Sequence, residues 1–236
     1  MKITSVNNET IKSLLKLSKK KYRDANGKLL VEGEHLLQEV KASGLNHTTY
    51  GIGSEFDVEI TDAIAHKLST TQSGSTLFTV VDKPQHGWPQ NGKRFILCDG
   101  VQDPGNLGTI IRTAHSFGFD AVIVSNDSVD EFNDKVVRST QGSIFHMPVI
   151  RMSLEDAIAR LKGESVSVYA TYLGDNTVPL SAVTDNAIAF VVGSEGQGVS
   201  DAVLEQCDGT TKIETSNFES LNVAIATAII CYTFRQ

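Results

Sequence analysis

Apolar positions change rhythm along this chain, and the change divides it. In the first eighty residues they come at helical spacing and in short runs. Ile11, Leu14, Leu15 and Leu17 predict a helix, capped by Asn7 or Asn8 and ended by Asn26-Gly27. Leu29–Glu32 reads as a short strand. Gly33–Ala42 reads as a helix with Leu36, Leu37 and Val40 inward and Gly44 beyond its end, and Leu77–Val81 as the last strand of this part. Farther on, continuous apolar runs alternate with helical periods. Phe95–Asp99 and Ala121–Ser125 are strand-like and flank a helix near Leu107–Phe117. A helix at Leu154–Leu161 precedes a strand at Val166–Thr171. Ala187–Val192 is a further strand, Ile213 ends another, and Leu221–Phe234 is a long apolar helix. This alternation predicts an α/β class with a mostly parallel sheet and helices on both faces.

Between the two regimes lies DKPQHGWPQNGKR (82–94), with two prolines, two glycines and no apolar period. It reads as an interdomain linker. The expected organisation is a first domain at 1–82, a linker at 83–93 and a second domain at 94–236.

Composition narrows the class. A 40% hydrophobic fraction over 236 residues excludes a disordered chain and suffices for a sizeable core. No run approaches the ~18 apolar residues of a membrane span, and the opening MKITSVNNET has no apolar signal segment. Cys98, Cys207 and Cys231 are odd in number and widely spaced, which fits neither a disulfide framework nor a zinc site. Six histidines are scattered without paired spacing, so no metal is expected, and the expected compartment is the cytoplasm.

Charge changes the picture once it is mapped. The net charge of −7 taken whole argues against a nucleic-acid partner. Yet Lys12, Lys16, Lys19, Lys20, Lys21, Arg23 and Lys28 stand within one stretch in which Asp24 is the only acid. Residues 1–90 hold 11 basic and 10 acidic side chains, and residues 91–236 hold 10 and 18. A basic patch rides on an acidic body. A lysine-rich helix face is often only solvated, so the patch acquires meaning from its neighbours.

Three glycine- or asparagine-rich segments stand at strand ends, where open α/β sheets place ligand sites. The first is DGVQDPGNLGTIIRTAHSFG (99–118), with Asn106 and Gly108 at a helix entrance and Arg112 about one turn beyond. An arginine there suits bidentate binding of phosphate or orientation of a hydroxyl, and equally a plain surface position. The second is FVVGSEGQGVS (190–200), in which three glycines surround Glu195. It has neither the GK[ST] ending of a phosphate loop nor the G-x-G-x-x-G of a dinucleotide site, which disfavours an oxidoreductase. The third is IETSNFESLNVAIATA (213–228). There Ser220 is the expected N-cap of the last helix, and Asn222 is free to meet a ligand or local backbone.

In this order, Asn-x-Gly-x-x-x-Arg, Gly-Ser-Glu-Gly and Ser-Leu-Asn-Val resemble the SpoU (TrmH-type) branch of the SPOUT RNA methyltransferases. The resemblance covers about the last 140 residues. The third segment departs from it: Ile213-Glu214-Thr215 stands where the family has Ile-Pro-Met, and the glycine before Ser-Leu-Asn is absent. The first ~80 residues resemble the small, ribosomal-protein-like RNA-binding domain that often precedes this catalytic domain.

The resemblance implies transfer of a methyl group from S-adenosylmethionine to a ribose 2′-hydroxyl in RNA, a trefoil knot holding the cofactor, and a homodimer. Carried over by position, Arg112, Asn106, Glu195, Ser220 and Asn222 are catalytic, and Thr171, Gly193, Ile213 and Leu221 contact the cofactor. RNA would meet Lys19, Lys20, Lys21 and Arg23, together with Arg112. A guanidinium has no acceptor, so Arg112 is expected to position the ribose rather than act as base. The two-domain layout favours ribosomal RNA. Transfer RNA, or an RNA-binding member without catalysis, is the alternative.

Overall fold

The computed structural model describes residues 1–174, 177–216 and 220–235. Contacts divide the chain into two compact units: Met1–Gln85 with Phe132–Phe145, and His86–Glu131 with His146–Gln236. The sequence reading divides the chain once, at 83–93. By contact, the 132–145 excursion clusters with the first unit.

The first unit runs β1 (Lys2–Ile3), α1 (Glu9–Lys16), α2 (Lys20–Asn26), β2 (Lys28–Glu32), α3 (Glu34–Ser43), β3 (His47–Gly51), β4 (Val58–Ile60), α4 (Asp62–Leu68) and β5 (Leu77–Asp82). Its sheet has the order β1-β4-β3-β5-β2, with β5 antiparallel to both neighbours. Asn8 caps α1, its side chain accepting from the Thr10 amide at 2.8 Å. Ile11, Leu14 and Leu17 are buried, as their spacing predicts.

The single helix expected as far as Asn26 is broken. Lys19 is extended, with φ −103° and ψ 132°, and α2 restarts after it. The break frees the carbonyls of Leu17 and Ser18, and the Arg23 guanidinium donates to both, at 2.9 and 2.8 Å. An unbroken helix would have claimed those acceptors for its own ladder. Gly27, at φ +61°, then closes α2. Strand β3 reads His-Thr-Thr-Tyr-Gly and shows no apolar run. It is held instead by Asp57, which accepts from the Thr49 amide and hydroxyl at 2.8 and 2.7 Å. These hydrogen bonds hold the Asp57 carboxyl below its ordinary value.

The second unit begins with β6 (Arg94–Asp99), α5 (Pro104–Ser116) and β7 (Ala121–Val124). Helix α6 (Asp134–Ser139) follows in the chain and belongs by contact to the first unit. Then come β8 (Val149–Arg151), α7 (Leu154–Gly163), β9 (Ser167–Thr171), β10 (Val178–Pro179), β11 (Ile188–Gly193), α8 (Asp201–Leu204), β12 (Gly209–Lys212) and α9 (Val223–Thr233). The strand order is β10-β12-β9-β11-β6-β7-β8, and every pairing is parallel. Leu97, Ile123, Val168 and Val191 pack one sheet face against Leu154, Ile158 and Leu161 of α7. Phe190 points to the other face and meets Phe234 with ring centroids 4.8 Å apart. Helices therefore cover both faces, as expected for a buried parallel sheet. Trp88 of the linker stacks on Phe95 and under Arg160, and its Nε1 donates to Glu164 at 3.0 Å.

This topology builds a site. β6 and β11 are adjacent and parallel, with Asp99 in register with Gly193, so the first two motif loops leave the sheet side by side. β9 and β12 end nearby, at Thr171 and Lys212, and are themselves paired. Among the described residues no helix is long and apolar enough to cross a membrane.

Candidate functional site

Asp103 caps α5 by accepting from the Asn106 amide at 2.8 Å, and Pro104 occupies the first turn, where no amide is needed. Asn106 therefore stands at the helix entrance with its side chain free to turn outward. On the far side, α9 starts at Val223 and Asn222 caps it, its Oδ1 accepting from the Ala224 and Ile225 amides at 2.9 and 3.3 Å. The sequence pattern predicts this cap at Ser220. The helix begins two residues later than expected, and the asparagine takes the role.

With Oδ1 committed to the cap, the Asn222 amide nitrogen faces away and donates to Asn106 Oδ1 at 3.1 Å. Asn106 in turn donates from Nδ2 to Glu195 Oε1. One chain, Asn222 to Asn106 to Glu195, thus ties together residues from all three motif segments. Each orientation follows from the one before it.

Glu195 sits in a tight loop. Ser194 and Gly198 exchange backbone hydrogen bonds at 3.1 and 2.9 Å, and Gly198 has φ +72°. Gly193 lies under this turn: a Cβ on it would fall 1.9 Å from the Gly198 carbonyl carbon. Asp99, mostly buried, anchors the far end by accepting from the Ser200 amide at 2.8 Å.

These loops wall a cavity of about 670 Å³. Thr171, Gly193, Ile213 and Leu221 all line it, and so do Glu195, Ser220 and Asn222. The Thr171 hydroxyl is spent on the Val191 carbonyl at 3.0 Å, so the residue offers its backbone and methyl group. In the divergent third segment Glu214 accepts from the Ser181 hydroxyl at 3.3 Å. That bond fastens the Ile213 loop where the family's proline is missing. Asn217, Phe218 and Glu219 lie outside the described residues. Tyr172, Leu173 and Lys212 also line the cavity without having been singled out by the sequence, and so does Thr215 of the divergent third segment. Tyr172 and Leu173 directly follow a strand-end residue that the sequence did single out, which was the available signal.

Arg112 is exposed on α5 and is not among the described residues that line the cavity. Lys19, Lys20 and Lys21 are exposed, and Lys20 pairs with Asp24 at 3.0 Å. Arg23 corrects the expected RNA-binding set. It is only 5% exposed and its guanidinium serves the Leu17 and Ser18 carbonyls, so it is a structural residue.

Nucleophilic catalysis by a thiol finds no support. Burial pushes the Cys207 and Cys231 thiols up to about 12 and raises Cys98 as well. Among the described residues no group of three His, Cys, Asp or Glu could hold a metal ion.

The SpoU rRNA methylase family profile matches residues 93–232, more than half the chain and all three motif segments. The chain belongs to the SpoU rRNA methylase family. The SpoU assignment is joined by a match of residues 8–83 to the MRM3-like substrate-binding domain. The chain is 38% identical to the 23S rRNA (guanosine(2553)-2′-O)-methyltransferase RlmP of Bacillus subtilis, over 99% of this chain and 98% of that protein. It is 31% identical to an uncharacterised tRNA/rRNA methyltransferase of Synechocystis, over 99% and 93%. Among solved structures, the S-adenosylmethionine-bound rRNA methyltransferase of Sinorhizobium meliloti superposes with a TM-score of 0.89 at 26% identity, covering 98% of this chain and 96% of that one. The α/β class and the SpoU resemblance read from the sequence are both borne out.

Proposed function

We propose that this SpoU protein transfers a methyl group from S-adenosylmethionine to a ribose 2′-hydroxyl of ribosomal RNA in the cytoplasm. The observation that carries the reading is the convergence of the second and third motif segments on one cavity, to which Asn106 of the first segment is joined by the Asn222–Asn106–Glu195 chain. The cavity falls within the range of small-molecule sites, ~300–1,000 Å³. The absence of a side chain at Gly193 lets the Ser194–Gly198 turn pack directly on the end of β11, which shapes the cavity wall. Thr171, Gly193, Ile213 and Leu221 would hold the cofactor, largely through main-chain groups.

S-adenosylmethionine, when bound, supplies an electrophilic methyl on a sulfonium. The chain's own residues then have three tasks. Arg112 orients the ribose and its phosphate with a planar fork of donors. Glu195, held at one oxygen by Asn106, offers the other as acceptor for the 2′-hydroxyl proton. Asn222, Asn106 and Ser220 fix the geometry, so in-line alignment supplies much of the acceleration.

The active form is a homodimer. Leu221, Ile225, Ile229 and Tyr232 are 40%, 53%, 36% and 57% exposed, at helical spacing along and just before α9. A second copy against this face would bury it and bring an Arg112 to the cavity. The trefoil knot belongs to the same reading, supported by the return of α9 to α5 and β11 after β12 has paired outside β9.

Purified protein given methyl-labelled cofactor and ribosomal RNA should yield alkali-stable dinucleotides, because a methylated 2′-oxygen blocks cleavage of its phosphodiester. Label confined to bases would overturn the reading, and binding of RNA without binding of cofactor would favour a module that has lost catalysis. RNA binding should rest on the exposed lysines. Replacing Lys19, Lys20 and Lys21 with Glu is expected to weaken binding and to flatten its dependence on log salt concentration by about three charges' worth of slope. Binding curves at several salt concentrations check this, and an unchanged slope would remove the lysines from the contact.

A further inference from the structure

We infer that Arg151 is a positioning residue for the reaction. From the end of β8 it holds the turn on which the loop leading to Asn106 is docked. The inference rests on Asn106 being part of the catalytic constellation.

Arg151 lies at the edge of the sheet, in register with Val124, and the chain leaves β7 there to make the 125–131 turn. Its guanidinium gathers that turn. Nη1 donates to the carbonyls of Ser125, Asn126 and Ser128 at 2.6, 3.3 and 3.1 Å. Nη2 donates to the Val129 carbonyl at 2.6 Å and to Glu131 at 2.7 Å, and Nε donates to the same Glu131 oxygen at 2.9 Å. Every N–H of the fork is used, and Glu131, itself mostly buried, supplies the balancing charge. Four carbonyls of one turn converge on one cation. Lysine, with three donors on a single nitrogen, cannot satisfy that set.

The turn in turn carries the catalytic loop. Ser125 Oγ accepts from the Gly100 amide and Ser128 Oγ from the Val101 amide, each at 3.0 Å. The Val129 amide donates to the Val101 carbonyl at 2.9 Å, and the Gln102 side chain to the Asp127 carbonyl at 2.5 Å. Two residues after Val101, Asp103 caps α5, and Asn106 follows in its first turn. The main chain of Gly100 and Val101 and the side chain of Gln102 are thus laid onto the 125–129 turn, and Asn106 is delivered from that support. The cavity itself draws no lining from 99–106 or from 125–131. Loosening the turn should therefore misplace the Asn106 side chain and its hold on the Glu195 carboxylate, while the main chain that walls the cavity stays in place and cofactor binding is kept.

That separation is the test. In Arg151→Lys and in Ser128→Ala, hydrogen exchange at the Gly100 and Val101 amides is expected to speed up, while exchange in β11 stays as in the wild type. Turnover on ribosomal RNA, expressed per S-adenosylmethionine site counted by calorimetry, is expected to fall about 10- to 100-fold in Arg151→Lys, as for a reacting group displaced by about an ångström. Cofactor affinity should stay within about twofold. A merely structural arginine would lower the number of cofactor sites and leave turnover per site unchanged, and that result overturns the inference. Unchanged exchange at Gly100 and Val101 overturns it too, whichever RNA is methylated. If Arg151→Lys fails to fold, Ser128→Ala decides alone: wild-type turnover per site refutes, reduced turnover with intact binding supports. Wild-type protein that binds cofactor but methylates no ribose would fail the functional reading instead, and the exchange measurement would still judge the docking.

Discussion

Gly193→Ala is expected to raise the dissociation constant for S-adenosylmethionine at least about 100-fold, which is roughly 2.7 kcal/mol. The added methyl would lie 1.9 Å from the Gly198 carbonyl carbon, 2.1 Å from its oxygen and 2.2 Å from the Val199 nitrogen. All three are main-chain atoms, so no rotamer change relieves the overlap. Either β11 must shift, against six register pairs with β6, or the Ser194–Gly198 turn must open. The turn is the weaker of the two, and its opening displaces Glu195 and the backbone that floors the cavity. Gly196→Ala is the comparison, because its methyl would meet nothing within 4 Å. It should lose far less affinity. Calorimetry on both variants, with thermal unfolding to show that each is folded, separates the clash from general loop damage. Equal losses would mean that the loop tolerates no side chain at all and that the close approach at Gly193 is incidental.

The parts of this site that are legible in sequence are those where one strand end carries its own signal. Gly193 and Glu195 follow directly on an apolar strand, and Asn106 follows a Pro-Gly helix entrance. Both sets fall where the spacing puts them. Asn222 lines the cavity and caps α9, whereas the spacing predicts the cap at Ser220, because serine and asparagine are near-equal caps and only the helix start distinguishes them. Long-range bookkeeping is what the sequence hides. The break before Lys19 is set by Arg23 reaching back to Leu17 and Ser18, and a count of apolar positions gives no sign of it. Strand β3 lacks an apolar run and is held by the Asp57 carboxylate, and β8 is too short to show a pattern of its own. Arg151 serves a turn about 25 residues earlier, and no local pattern announces it. The net charge misleads for a related reason. The basic stretch is real, yet one of its members is folded inward as a structural donor.

The largest effect on turnover should come from Arg112. Arg112→Lys keeps the charge and loses the bidentate fork, and is expected to cost about 100-fold in rate with little change in cofactor affinity. Arg112→Ala should cost more. These variants also test where the arginine acts. Arg112 is exposed and absent from the described lining of the cavity, while α9 presents Ile225, Ile229 and Tyr232 to solvent. If each site combines the cavity of one copy with Arg112 of the other, Arg112→Ala and Gly193→Ala should complement. After mixing and subunit exchange, half the dimers are mixed, and each has one site with an intact cavity and an intact arginine. Activity should then return to about one quarter of wild type, as the two-fold symmetry of such a dimer requires. If Arg112 serves its own cavity, no mixed dimer holds an intact site and the mixture stays inactive. Ile229→Glu, which buries a charge in the proposed interface, should abolish both the dimer and the complementation. Sedimentation and turnover measured on the same samples distinguish the cases. A fully active monomer would refute the shared site, whatever the individual variants do.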